Sequence, residues 1–166
     1  LSLVMSLVMP KVPMIAPVSL GLGGNAIAVS TALHESIRAA GGPEDLDPRL
    51  QGLALQRVVR ERASAGAPPL VLAMVYPFSC HNYQLRHWLA ASGIDPDQDV
   101  RLVVIPPPLL VDALREGQID GFCVGEPWSS VAVAAGVGRI VTTGRHIWPN
   151  GPEKVLGLRQ DWADAN

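Results

Sequence analysis

His81 follows Ser79 and Cys80 directly, and serine is a residue type that caps helix starts. In the first turn of a helix the imidazole can donate to a bound group, and the positive end of the helix disfavours its protonation. A packing histidine is the other reading. Glu126 lies between Gly125 and Pro127, again at a helix start. A carboxylate there either caps its helix or helps to hold a cation, and capping is the simpler reading. Lys154 can bring one positive charge to a buried anion, or stay solvated as most lysines do. Asn25 follows a glycine-rich turn and is a good N-cap. Fixed N–H donors plus one ammonium suit the binding of a small anion better than bond-making chemistry.

Patterns for catalysis are poor. His34, His81, His87 and His146 have no HExxH spacing, and the chain has no GxSxG, no GxxxxGK[ST] and no GxGxxG after a strand. Gly21-Leu22-Gly23-Gly24 is only loosely a phosphate loop. Cys80 beside His81 suits a thiol nucleophile, but sequence neighbours rarely form a catalytic pair, and no third group is identifiable. Cys80 and Cys123 lack metal-like or redox-like spacing and read as small buried hydrophobes. His87 and Trp88 read as packing residues.

The elements that must position these groups follow from periodicity and punctuation. Residues 1–22 are apolar and broken by Pro10, Pro13 and Pro17, with a strand expected over Leu1 to Met9. From Ala26 to about Ala40 the spacing suits a helix ended by Gly41 and Gly42. An amphipathic helix is expected over about 50–65, and Gly66-Ala67-Pro68-Pro69 reads as a linker or lobe boundary. Beyond it come a strand over Leu70–Tyr76, a helix from Cys80 to Ala91, and a strand over Val100–Ile105. A helix over Leu109–Glu116, a strand over Ile119–Val124 and a helix from Pro127 to about Ala135 complete the series. These lengths read as parallel βαβαβ in an α/β fold. Arg139–Thr142 can add a strand, and residues 144–157 return elsewhere. Three helix starts, at Gly24-Asn25, Ser79-Cys80-His81 and Gly125-Glu126-Pro127, form a nest for an anion if they face one cleft.

The chain has 166 residues, of which 48% are hydrophobic and 17% charged, so a sizeable core is within reach. A net charge of −2 and a pI near 6.1 argue against direct nucleic-acid binding. No apolar run reaches the roughly 18 to 20 residues of a membrane span. The chain starts without methionine and stops in what reads as a helix, which points to a fragment.

The segment His81-Asn82-Tyr83-Gln84-Leu85-Arg86-His87-Trp88-Leu89-Ala90-Ala91-Ser92-Gly93-Ile94-Asp95-Pro96 resembles the HNxxLRYWLAAxGIDP segment of the nitrate- and bicarbonate-binding proteins of ABC transporters. Val104-Ile105-Pro106-Pro107-Pro108, Ile119 through Trp128, and Glu153-Lys154-Val155-Leu156-Gly157 follow in that family's order. Gly21 through Ile27 resembles its earlier GxNGNAI turn.

The resemblance implies a type II periplasmic-binding-protein fold, with two Rossmann-like α/β lobes closing on a ligand and only part of the first lobe present. Residues 1–66 would belong to lobe 1 and the crossover, 67–143 to lobe 2, and 144–166 to the return towards lobe 1. It also implies an anion-contacting role for His81, Gly125 and Lys154, and a polar contact near Asn25. The function implied is non-enzymatic: the substrate-binding component of an ABC uptake system for nitrate or nitrite, working with a permease in the cell envelope, periplasmic or membrane-anchored. Alternatives are a bicarbonate-binding protein, or a cytoplasmic nitrate/nitrite sensor that holds an RNA-binding antiterminator. More distant relatives are thiamine-pyrimidine enzymes, whose cysteine-rich motif is missing here. No cofactor is expected, and Glu126 would meet a metal only in a bicarbonate/calcium variant.

Overall fold

A computed structural model describes residues 12–166 of the chain, so the strand expected over Leu1 to Met9 lies outside the described residues. The elements run β1 (Met14–Leu22), β2 (Asn25–Ser30), α1 (Thr31–Ala39), α2 (Pro48–Ser64), β3 (Leu70–Met74), α3 (Cys80–Ala91), β4 (Val100–Val104) and α4 (Leu110–Arg115). They continue with β5 (Gly121–Gly125), α5 (Trp128–Ala134), β6 (Gly138–Thr143), α6 (Gly144–Ile147), β7 (Pro152–Arg159) and α7 (Gln160–Ala165).

The strands form a five-stranded sheet in the order β4-β3-β5-β2-β6 and a separate antiparallel ribbon of β1 with β7. β3 is parallel to both β4 and β5, as the βαβαβ reading expects. β2 is antiparallel to both β5 and β6, which makes the sheet mixed.

β2 corrects two expectations. Residues 25–30 are a strand, and the helix starts only at Thr31, capped by the Ser30 hydroxyl, which accepts from the Leu33 N–H at 3.2 Å. Burial on both faces leaves Asn25 through Val29 without the polar–apolar alternation that marks a half-buried strand. Asn25 is therefore a sheet residue and caps no helix. The division expected after residue 66 also does not bound the sheet, because β2, from the first third of the chain, lies between β5 and β6.

Alternate residues of the central strands feed two cores. Ile27, Val29 and Cys123 pack with Leu33, Ile37, Leu55, Leu85 and Trp88 on the face covered by α1, α2 and α3. Ala28, Phe122 and Val124 pack with Leu110, Leu114 and Ala132 on the face covered by α4 and α5. Phe122 is fully buried, and truncation of such a ring costs about 3–5 kcal/mol. Helices α2 and α3 approach closely at Gly52, where an added Cβ would stand 1.9 Å from Ser92 Oγ. Trp88 closes the same seam by donating from Nε1 to the Pro48 carbonyl at 2.7 Å.

Candidate functional site

Helix α3 begins where the sequence expects. The Ser79 side chain accepts from the Asn82 N–H at 3.3 Å, so Cys80 and His81 occupy the first turn beyond the carboxyl end of β3. The ladder of β2 and β5 pairs Asn25 with Gly125. The ribbon then brings in its own residue: Gly24, just before β2, packs on Glu153, with an added Cβ 3.2 Å from the Glu153 Cγ. The Gly23 N–H donates to the Gly151 carbonyl at 3.2 Å and ties the ribbon to the sheet at this corner.

Four residues far apart in sequence thus meet. A methyl carbon placed on Gly125 would stand 3.5 Å from Asn25 Oδ1, 3.8 Å from His81 Nε2 and 3.9 Å from Glu153 Oε1. Asn25, His81 and Gly125, all named from the sequence, come together at this corner of the sheet. Lys154 lies at its rim, with its side chain 71% exposed and its ammonium 3.9 Å from Glu153 Oε1.

Asn25 is buried and held in one orientation. Its Nδ2 donates to Gln84 Oε1 at 2.8 Å and to Cys80 Sγ at 3.4 Å. Its Oδ1 is buried without a partner among the described residues, and so is His81 Nδ1. Unpaired buried polar atoms are costly, about 1–3 kcal/mol each. Burial holds the His81 imidazole below the usual histidine range, and the nearby Lys154 charge adds to that. Burial pushes the Glu153 carboxyl above its usual range, and Lys154 pulls it partly back. The Cys123 thiol, sealed in the core, is pushed far above the ordinary range first by burial and is chemically quiet.

Glu126 takes the capping role. Its Oε2 accepts from the Ser130 N–H at 3.2 Å on the exposed side of α5, and the Glu126–Pro127 peptide is cis. Pro127 is the cap of α5, so the helix starts at Trp128, one position after the start expected at Pro127. The carboxylate facing this corner is instead Glu153, which sequence reasoning carried only as the neighbour of Lys154. Gln84 was likewise passed over. Its position on α3, one turn beyond Cys80, was the available signal. Of the three helix starts expected to form a nest, the first is the start of a strand.

The family model described as NMT1-like family matches residues 1–166. The chain belongs to the NMT1-like family. Its sequence is 35% identical over 156 residues to the nitrate/nitrite binding protein NrtA of Nostoc sp., covering 94% of this chain and 33% of that protein. It is 39% identical over 157 residues to the bicarbonate transport ATP-binding protein CmpC of Synechocystis sp., covering 94% of this chain and 21% of that protein. The crystal structure of the periplasmic nitrate-binding protein NrtA from Synechocystis superposes with a TM-score of 0.78 at 27% identity, over 99% of this chain and 40% of that one. The chain therefore spans about a fifth to a third of the length of these curated relatives. Its fold is that of the periplasmic binding proteins, of which it forms a part. Among the described residues no helix is long and apolar enough to cross a membrane.

Proposed function

We propose that this chain forms part of the substrate-binding component of an ABC uptake system and helps to hold nitrate or nitrite in a cleft between two lobes. The supporting observation is the convergence of Asn25, His81 and Gly125, from β2, α3 and β5, at one corner beside Glu153 and Lys154. A planar, weakly basic oxyanion needs several fixed donors and a positive charge with little competing water. His81 offers an N–H from its ring, Gly125 leaves room for the anion to approach the backbone, and Lys154 closes over the rim. The five-stranded sheet forms the second lobe, and the β1–β7 ribbon leads towards the first. Closure by a hinge between the lobes would bring Lys154 inward. The site acts by binding and does not turn its ligand over, and the protein works in the cell envelope beside a permease.

Bicarbonate is the second reading, and one observation favours it. Asn25 Oδ1 is an unpartnered acceptor at this corner, and it would accept from the O–H of bicarbonate, which nitrate lacks. No observation favours the cytoplasmic sensor reading.

Calorimetric titration of protein containing this chain with nitrate, nitrite, bicarbonate and sulfate, with and without calcium, tests the proposal. Heat with nitrate or nitrite and none with sulfate is expected. No heat with either nitrogen oxyanion overturns the first reading, and heat with bicarbonate alone establishes the second.

A further inference from the structure

Beside the groups offered to an oxyanion stand two that an oxyanion does not use, the Cys80 thiol and the Glu153 carboxyl, and with His81 they make a different donor set. Among the described residues, Cys80, His81 and Glu153 each offer one ligand atom, all within 4.8 Å of one another. A thiol, an imidazole and a carboxyl so placed carry lone pairs towards a shared centre, the reverse of what an anion needs. A second, independent observation lies beside them. Asn25 is 1% exposed, and its Oδ1 is buried, without a hydrogen-bond donor, and aimed at the same space.

We propose that Cys80, His81 and Glu153, with Asn25 Oδ1 alongside, form a binding site for a zinc-class divalent cation at this corner of the sheet. The donor types select the metal. Thiolate with imidazole and carboxylate suits zinc, whereas calcium and magnesium take oxygen ligands. Bonds of about 2.0–2.3 Å to a tetrahedral centre require the ligand atoms to stand about 3.5 Å apart. The ligand atoms now lie within 4.8 Å of one another, and binding requires side-chain rotation to close that separation. Asn25 Nδ2 already donates to Cys80 Sγ, and such a donor stabilises a metal-bound thiolate. Binding releases the Cys80 proton to solvent and forms the sulfur–metal bond, with no change in oxidation state. Three protein ligands leave a fourth position open towards Gly125, where an oxyanion or water can complete the shell. The cation site shares His81 and Asn25 with the anion reading, and the two are told apart by titrating the metal without the anion and the anion without the metal.

The test uses protein containing this chain, stripped with a chelator and titrated with cobalt(II) as a spectroscopic stand-in for zinc. Wild type and Cys123→Ser should develop thiolate-to-cobalt absorption in the near ultraviolet, bleached by zinc, and Cys80→Ser should not. Glu153→Gln should weaken zinc binding at least about tenfold, while Glu126→Gln should leave it unchanged. X-ray absorption on the zinc-loaded wild type should find one sulfur at about 2.3 Å, a readout that needs no variant to fold. Absence of the band in wild type, an undiminished band in Cys80→Ser, or a zinc shell of nitrogen and oxygen alone overturns the proposal. Nitrate titration in excess chelator reports separately on the anion reading.

Discussion

Asn25 and Gly125 face each other across the β2–β5 ladder, and Asn25 Oδ1 lies 3.5 Å from where a side chain on Gly125 would begin. A glycine there leaves open the space beside Asn25, His81 and Glu153. Its φ is not positive, and an added methyl would make only ordinary contacts, the nearest at 3.5 Å. Gly125→Ala should therefore melt within about 0.5 kcal/mol of wild type yet bind nitrate at least about tenfold more weakly, a loss of about 1.4 kcal/mol. Paired thermal melts and calorimetry check this, and unchanged affinity removes Gly125 from the pocket.

Gly121, at the other end of the same strand, should behave oppositely. A methyl there meets the Ala28 carbonyl oxygen at 2.8 Å and Val29 Cγ1 at 3.1 Å, inside the sheet. Gly121→Ala should destabilise the fold by about 1–3 kcal/mol, read by urea denaturation. Any protein that stays folded should keep its anion affinity.

Gln84 orients Asn25 through the 2.8 Å hydrogen bond from Nδ2. Gln84→Leu removes the acceptor and leaves that buried donor with only the Cys80 sulfur. A stability loss of about 1–3 kcal/mol is expected, together with weaker anion binding, because Asn25 is then free to turn. Retained affinity alongside reduced stability would mean that Asn25 does not touch the ligand.

Lys154 should act on the ligand and hardly on the fold. Its ammonium is largely solvated, and exposed ion pairs contribute little to stability. Lys154→Ala should leave the melting temperature in place, raise the Kd for nitrate and flatten its dependence on ionic strength. Equal affinity in the variant would mean that the rim lysine plays no part in binding.

Acid should destabilise the ligand-free, chelator-treated protein. His34 and His81 both sit below the ordinary histidine value of 6.5 in the fold, first because burial disfavours their charged forms. The charges of Arg139 and Arg38 push His34 the same way against Glu35, and Lys154 does so for His81. The unfolded chain therefore binds more protons as pH falls from about 7 to about 5.5, and stability falls with it. Glu153 works in the opposite sense nearer its ordinary value of 4.5, because the folded state keeps its proton to higher pH. Melting temperature against pH should flatten in His81→Asn and His34→Asn, and a curve unchanged in both variants removes these rings as its cause.

Much of this molecule is legible in the chain. Ser79 and Gly93 bracket α3, whose bounds match those expected, because a hydroxyl cap and a glycine at φ +73° are local signals. The Leu70, Val100 and Ile119 runs yielded the three parallel strands for the same reason: each is bounded by proline, glycine or a charged loop. β2 was illegible because a strand buried on both faces carries no alternation, and its small residues suit a helix equally well. The pairing of β2 with β5, and hence the meeting of Asn25 with Gly125, depends on contacts about a hundred residues apart that no local pattern encodes. Glu153 was overlooked because its neighbour Lys154 drew the positive-charge argument. Neighbours in a strand point to opposite faces, and only the fold shows that Glu153 takes the inward one.

The place of β2 bears on how the polypeptide is made. As synthesis proceeds, residues 25–30 leave the ribosome long before the residues of β5 and β6 that flank them on either side. Until then a stretch of Ala, Ile and Val has no partner and is exposed to wrong pairing with other nascent chains. Truncations short of residue 143 should therefore aggregate, since they remove the last strand that β2 requires.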